Sequence, residues 1–177
     1  MGKISRVPRF VSGEMPGKIK ANSYEHALFD PRVFRRLVCR IERKLKTIAR
    51  CAGRPVKAIV GMGVSGVPLA AAVSFLSGIP FVIVRKPGES SHDTTYRAVG
   101  YSIDLRDDYV IIDDFIDSGD TICRIIDEIS MDKDRHFPMA IVLYNVLADG
   151  YDTEDLFGAV VPIHSVCGKQ TSVPYRR

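Results

Sequence analysis

Val110-Ile111-Ile112-Asp113-Asp114-Phe115-Ile116-Asp117-Ser118-Gly119-Asp120-Thr121-Ile122 decides how the rest of this 177-residue chain is read. An apolar run of this kind is a strand buried on both faces, and it delivers two consecutive carboxylates to its C-terminal edge. A loop of small and hydroxyl residues follows and leads directly into a helical pattern. Backbone N–H groups of such a loop, its hydroxyls and the positive end of the helix together make a site for a phosphate dianion. The neighbouring carboxylates accept hydrogen bonds from sugar hydroxyls or hold the hydration shell of Mg²⁺. The local chemistry is a phosphate and a vicinal diol in one pocket. The plainer alternative is a strand end followed by helix-capping acids.

Outward from this stretch, strands and helices alternate. Upstream, residues 56–60 form an apolar strand that enters the turn Gly61-Met62-Gly63-Val64-Ser65-Gly66, and a helix follows over residues 67–76. Glycines in such a turn let the backbone approach a ligand, although a tight strand-to-helix connection needs them as well. Residues 80–84 read as a buried strand ending in Arg85-Lys86. Residues 87–97 are polar and rich in Ser, Thr and Gly, with His92, Tyr96 and Arg97 among them. Further strands are predicted at 98–103, 139–144 and 159–163, and a helix at 121–130. Ahead of all these, Asp30 as N-cap and Pro31 at the first helical position open a helix. Its apolar positions (Val33, Phe34, Leu37, Val38, Ile41, Leu45, Ile48, Ala49) share one face, and Gly53 stops it. Residues 1–29 carry no periodicity and read as loop. The fold class is therefore α/β, a parallel central sheet flanked by helices, with ligands at the carboxyl ends of the strands beside the switch point.

Composition agrees with one soluble globular domain over residues 1–177, hydrophobic residues being 46% and charged residues 26%. No apolar run approaches the ~18–20 residues of a membrane span, and the N-terminus lacks the apolar region of a secretory signal. A cytoplasmic protein without membrane partners is expected. Cys39, Cys51, Cys123 and Cys167 show no metal-binding spacing and are expected to be free thiols. The net charge of +4 divides into +11 over residues 1–57 and −7 over the remainder. Much of the excess lies on the first helix, where Arg32, Arg35, Arg36, Arg40, Arg43, Lys44, Lys46 and Arg50 face the single acid Glu42. That surface is expected to be a solvated outer face balancing the acidic remainder, with no nucleic-acid partner at physiological salt; a phosphate-backbone contact is the alternative.

The run of four apolar residues, two acids and a small-residue phosphate loop resembles the phosphoribosyl-pyrophosphate signature of the type I phosphoribosyltransferases. The resemblance covers residues 56–145, which would be the core of that fold. Residues 1–29 and about 145–177 would supply a small hood over the pocket and the tail. It implies that Asp113 and Asp114 meet the ribose hydroxyls and hold Mg²⁺ through water. It implies that Asp117, Ser118, Gly119, Asp120 and Thr121 cradle the 5′-phosphate. The turn containing Gly61, Gly63, Val64, Ser65 and Gly66 would bind pyrophosphate through its amides. In the adenine-type version of that turn an arginine precedes the last glycine, and here Ser65 stands there. Arg85 and Lys86 would supply cations, and residues 87–97 a lid, to which His92, Tyr96 and Arg97 belong.

The implied reaction transfers phosphoribosyl from 5-phosphoribosyl 1-diphosphate to a nucleobase and releases pyrophosphate. Arg85, Lys86 and Asp117 would be its catalytic residues, Asp117 lying near the purine N7 in the hypoxanthine-guanine branch. A purine acceptor is preferred over a pyrimidine. The aromatic residues that could stack on the base are Tyr24, Phe29, Tyr144, Tyr151, Phe157 and Tyr175. A homodimer is a family expectation. The alternative is a regulator on the same fold that senses phosphoribosyl pyrophosphate or nucleotide and binds nucleic acid through the basic helix 31–50.

Overall fold

A single helical turn, α1 (His26–Phe29), precedes the capped helix α2 (Pro31–Ala52) in the computed structural model, which describes residues 26–86, 98–100, 108–130, 135–145 and 153–166. The Asp30 carboxylate caps α2 as its sequence position requires. It accepts from the N–H groups of Arg32 (2.8 Å) and Val33 (3.3 Å), and these bonds hold its carboxyl below the usual carboxylate range. Gly53, in the left-handed region at φ 67°, ends the helix.

The chain then alternates through β1 (Ala58–Met62), α3 (Gly63–Ser77), β2 (Phe81–Val84), β3 (Ala98–Gly100), β4 (Tyr109–Asp113), α4 (Asp120–Ser130), β5 (Ala140–Leu143), α5 (Thr153–Phe157) and β6 (Ile163–Ser165). The strands form one sheet in the order β3-β2-β1-β4-β5-β6. Five of them run parallel, and β3 lies antiparallel to β2 at the edge. Chain order runs outward from β1 to β3 and then restarts beside β1 with β4. The switch point therefore lies between β1 and β4, and a ligand crevice opens at their carboxyl ends.

Continuous apolar strands follow from cover on both faces. Ile59, Val110, Ile112, Ala140 and Val142 pack with Leu37, Ile41, Leu45, Leu69 and Val73 of α2 and α3. Val60, Ile111, Ile141 and Leu143 face the other way, against Ile122, Ile125, Ile126 and Ile129 of α4 and Phe157 of α5. Every residue of β1, β4 and β5 is buried.

Several boundaries differ from the sequence pattern for local reasons. The six residues 61–66 do not form a loop. Gly61 and Met62 pair with Ile83 and Val84 as strand residues, and the helix begins at Gly63, whose φ of +62° makes the turn in one residue. The last strand lies at 163–165 and not at 159–163, because Pro162 has no N–H to give the ladder. The short turns α1 and α5 carry no periodic signal in the sequence. Among the described residues no helix is long and apolar enough to cross a membrane.

Candidate functional site

At the carboxyl edge of β4, the chain turns sharply. Asp113 is the last strand residue and only 4% exposed. One of its oxygens, Oδ1, accepts from the Ser65 hydroxyl at 2.9 Å and from the Asp114 N–H at 2.9 Å. Asp114 repeats the pattern one residue on, its Oδ1 accepting from the Phe115 N–H at 3.0 Å. The main chain here is fixed by β5 and its continuation: the Asp113 carbonyl accepts from Tyr144 N–H and the Asp114 carbonyl from Asn145 N–H.

Burial pushes the Asp113 carboxyl up to about 7, helped by the charge of Asp114 beside it; the Ser65 hydroxyl and the Asp114 N–H pull the other way. Ser65 belongs to the first turn of α3, and its own carbonyl accepts from the Tyr144 hydroxyl at 3.0 Å. A chain of hydrogen bonds thus links the end of β5 through α3 to the end of β4.

After the two acids, Ile116 (6% exposed) and Ile122 (1%) are buried in the lower core layer and pin both ends of the intervening loop. Between them Asp117, Ser118 and Asp120 are exposed and Gly119 takes φ +84°. The Ser118 hydroxyl accepts from the Asp120 N–H at 3.3 Å, and the Gly119 carbonyl accepts the first helical bond of α4 from Cys123.

A cavity of about 380 Å³ opens above this loop. Of the residues singled out by sequence, it brings together Val64, Ser65, Lys86, Asp113, Asp114, Asp117, Ser118, Gly119, Asp120 and Thr121. Four others, Gly61, Gly63, Gly66 and Arg85, do not line it. Two of these glycines serve packing: a Cβ on Gly61 would come within 2.8 Å of the Gly66 carbonyl carbon, and one on Gly66 within 2.7 Å of the Ile112 oxygen. They let α3 sit directly on β1 and β4. Gly63 serves the wall, since a Cβ there would meet the Lys86 side chain at 2.6 Å.

The cavity also uses Met62, Phe115, Ile116 and Ile122, which sequence reasoning does not place there. The available signal for Ile116 and Ile122 is two large apolar residues bracketing a polar loop; Met62 and Phe115 have none beyond adjacency. Of the aromatic candidates, Tyr144 lines the cavity but is 3% exposed with its hydroxyl engaged, Phe157 lies in the core, and Phe29 is exposed on α1. Tyr24, Tyr151 and Tyr175 lie outside the described residues, as do residues 87–97 with His92, Tyr96 and Arg97.

For Mg²⁺, the donor set fits attachment through water. Asp113 is turned inward onto Ser65, and among the described residues no third carboxylate, His or Cys joins the pair to make a protein cage.

This sheet order, with helices on both faces, is the fold of the type I phosphoribosyltransferases. Adenine phosphoribosyltransferase from Saccharomyces cerevisiae superposes with a TM-score of 0.58 at 17% identity, over 77% of this chain and 79% of that one. By sequence the chain is 32% identical over 98 residues to HGPRTase-like protein 1 of Haloarcula marismortui, covering 48% of this chain and 54% of that protein. It is 40% identical over 87 residues to orotate phosphoribosyltransferase of Methanosarcina acetivorans, covering 45% and 44%. The chain spans about half the length of the curated relatives it matches. No family model matches it. The sequence relatives thus match about half of the chain, and the structural likeness reaches about three quarters of it.

Proposed function

We propose that this protein is a phosphoribosyltransferase that moves phosphoribosyl from 5-phosphoribosyl 1-diphosphate to a ring nitrogen of a nucleobase. The observation that carries the reading is one cavity in which a buried strand presents Asp113 and Asp114, a loop opening α4 presents Ser118 to Thr121, and Lys86 stands on the wall from β2. The names of the relatives, purine and orotate phosphoribosyltransferases, support the class and leave the base open.

In this reaction the bond from the anomeric carbon to pyrophosphate breaks as the base nitrogen attacks, so positive charge develops on the sugar and negative charge on the leaving group. Residues 118–121 hold the 5′-phosphate through hydroxyls and N–H groups. Asp114 accepts from the ribose hydroxyls, with Asp113 behind it. Lys86, with Arg85 adding charge at the same strand end, stabilises the departing pyrophosphate. Asp113 and Asp114 would hold Mg²⁺ through water, and the ion would supply further neutralisation of that charge. Asp117, exposed at the cavity, takes the proton that the base loses.

A purine is the preferred acceptor, supported by the place of Asp117 and by the HGPRTase-like relatives. The test is a panel of adenine, guanine, hypoxanthine, xanthine, uracil and orotate, each with phosphoribosyl pyrophosphate and Mg²⁺, reading pyrophosphate release. Release with none of the six overturns the activity; release with orotate or uracil alone overturns the purine preference. For the active base, Asp117→Asn is expected to lower turnover by ~10²–10⁴ while phosphoribosyl-pyrophosphate affinity changes little. Weaker affinity with unchanged turnover would instead make Asp117 a phosphate-loop residue.

A further inference from the structure

The cations of α2 are expected from the sequence to balance the acidic remainder, yet among the described residues no acid of that remainder is paired with them. Among the described residues, the acids paired with α2 cations are Asp30 and Glu42, its own cap and its own single carboxylate. Arg36 and Arg43 donate to carbonyls of the helix itself, and Arg40 donates to the Val166 carbonyl. Acidic α4 lies on the opposite face of the sheet.

The cations are also ordered. At ~100° per residue, Arg32, Arg36, Arg40, Arg43, Lys46 and Arg50 fall in one stripe opposite Leu37, Ile41 and Ile48, and all six are exposed. The stripe supplies about one cation per turn along a helix that 22 residues make ~33 Å long. No residue of α2 lines the cavity.

We propose that this stripe docks the phosphate backbone of a nucleic-acid duplex, without reading its sequence. A regular row of mostly arginine heads suits a regular row of phosphates, which guanidinium groups bind in bidentate fashion. An anionic membrane is the poorer fit, because the apolar face of α2 is spent on the core and no large apolar side chain of α2 is exposed. A single strand is also a poorer fit: Phe34, the one aromatic of α2, packs against the core and leaves no stacking platform. The surface is separate from the cavity, so the proposal stands or falls independently of the phosphoribosyl reaction.

The experiment titrates the full chain into a labelled DNA duplex of mixed sequence and about 20 base pairs, following anisotropy across a salt series. Six phosphate contacts predict that log affinity falls with log salt at a slope near −5, about 10³-fold between roughly 50 and 200 mM. A second, unrelated duplex sequence should bind equally. The triple variant Arg36→Gln, Arg43→Gln, Arg50→Gln should reduce the slope by about three while its melting temperature stays that of the parent. Arg124→Gln, at an exposed position of α4 across the sheet, should change neither. No binding at about 50 mM salt overturns the proposal. So does a triple variant that binds like the parent, binding to anionic vesicles but not to the duplex, or salt-dependent self-association in place of duplex binding.

Discussion

Ser65 joins three elements through two bonds, its hydroxyl to Asp113 and its carbonyl from Tyr144. It stands where a relative of the adenine type has an arginine, and in this fold it holds a buried carboxylate in place. That carboxylate is costly to ionise. Its folded-state value of about 7 lies above the ordinary 3.8, so the folded form binds the extra proton between those values. The stability linked to that proton is complete below about pH 4 and is lost as pH rises through about 7, at up to ~1.4 kcal/mol per pH unit in between. Asp113→Asn keeps the acceptor for Ser65 and removes the titration. In the absence of ligand, its thermal midpoint should gain on the parent as pH rises from about 5 to 8. Parallel curves across that range would show that Asp113 is ionised throughout.

At the scale of the elements, the two glycines of the β1–α3 connection make the crevice by letting helix and strand touch. Gly66→Ala must push a methyl group toward the Ile112 carbonyl, with backbone on both sides and no flexible side chain to yield. Overpacking of this kind costs ~1–3 kcal/mol, and calorimetry should show that loss. A parent-like midpoint would mean that α3 shifts without cost.

These glycines also mark where the sequence is legible and where it is not. Strand β4, its acids and the loop after it are readable because burial, charge and small residues change within a few positions. The amphipathic α2 is readable from its apolar period and its cap. Gly61 and Gly66 are not, because a glycine that binds a ligand and a glycine that admits a neighbouring backbone look alike in one dimension. The inward turn of Asp113 is equally hidden, since its partner Ser65 lies 48 residues away. Arg85 and Lys86 are adjacent in sequence, yet only Lys86 reaches the cavity wall.

For the whole molecule, the site is assembled from both halves of the sheet, so its ligand should report on global stability. Phosphoribosyl pyrophosphate with Mg²⁺ at about 100 times its Kd should stabilise the fold by ~2.7 kcal/mol and raise the melting temperature accordingly. The double variant Asp113→Asn, Asp114→Asn should lose most of that rise. If it keeps the full shift, the ligand is held elsewhere.

The strand order has a consequence for the chain while it is being made. Central strand β1 takes β2 as one neighbour soon after it appears, but its other neighbour, β4, follows by about fifty residues, several seconds of ribosomal synthesis at ~5–20 residues per second. For that interval the edge of an entirely apolar strand has no native partner from its own chain. An unpaired edge of this kind recruits strands from other molecules. The same crossover that opens a crevice in the finished protein therefore leaves the nascent one with an open strand edge until β4 arrives.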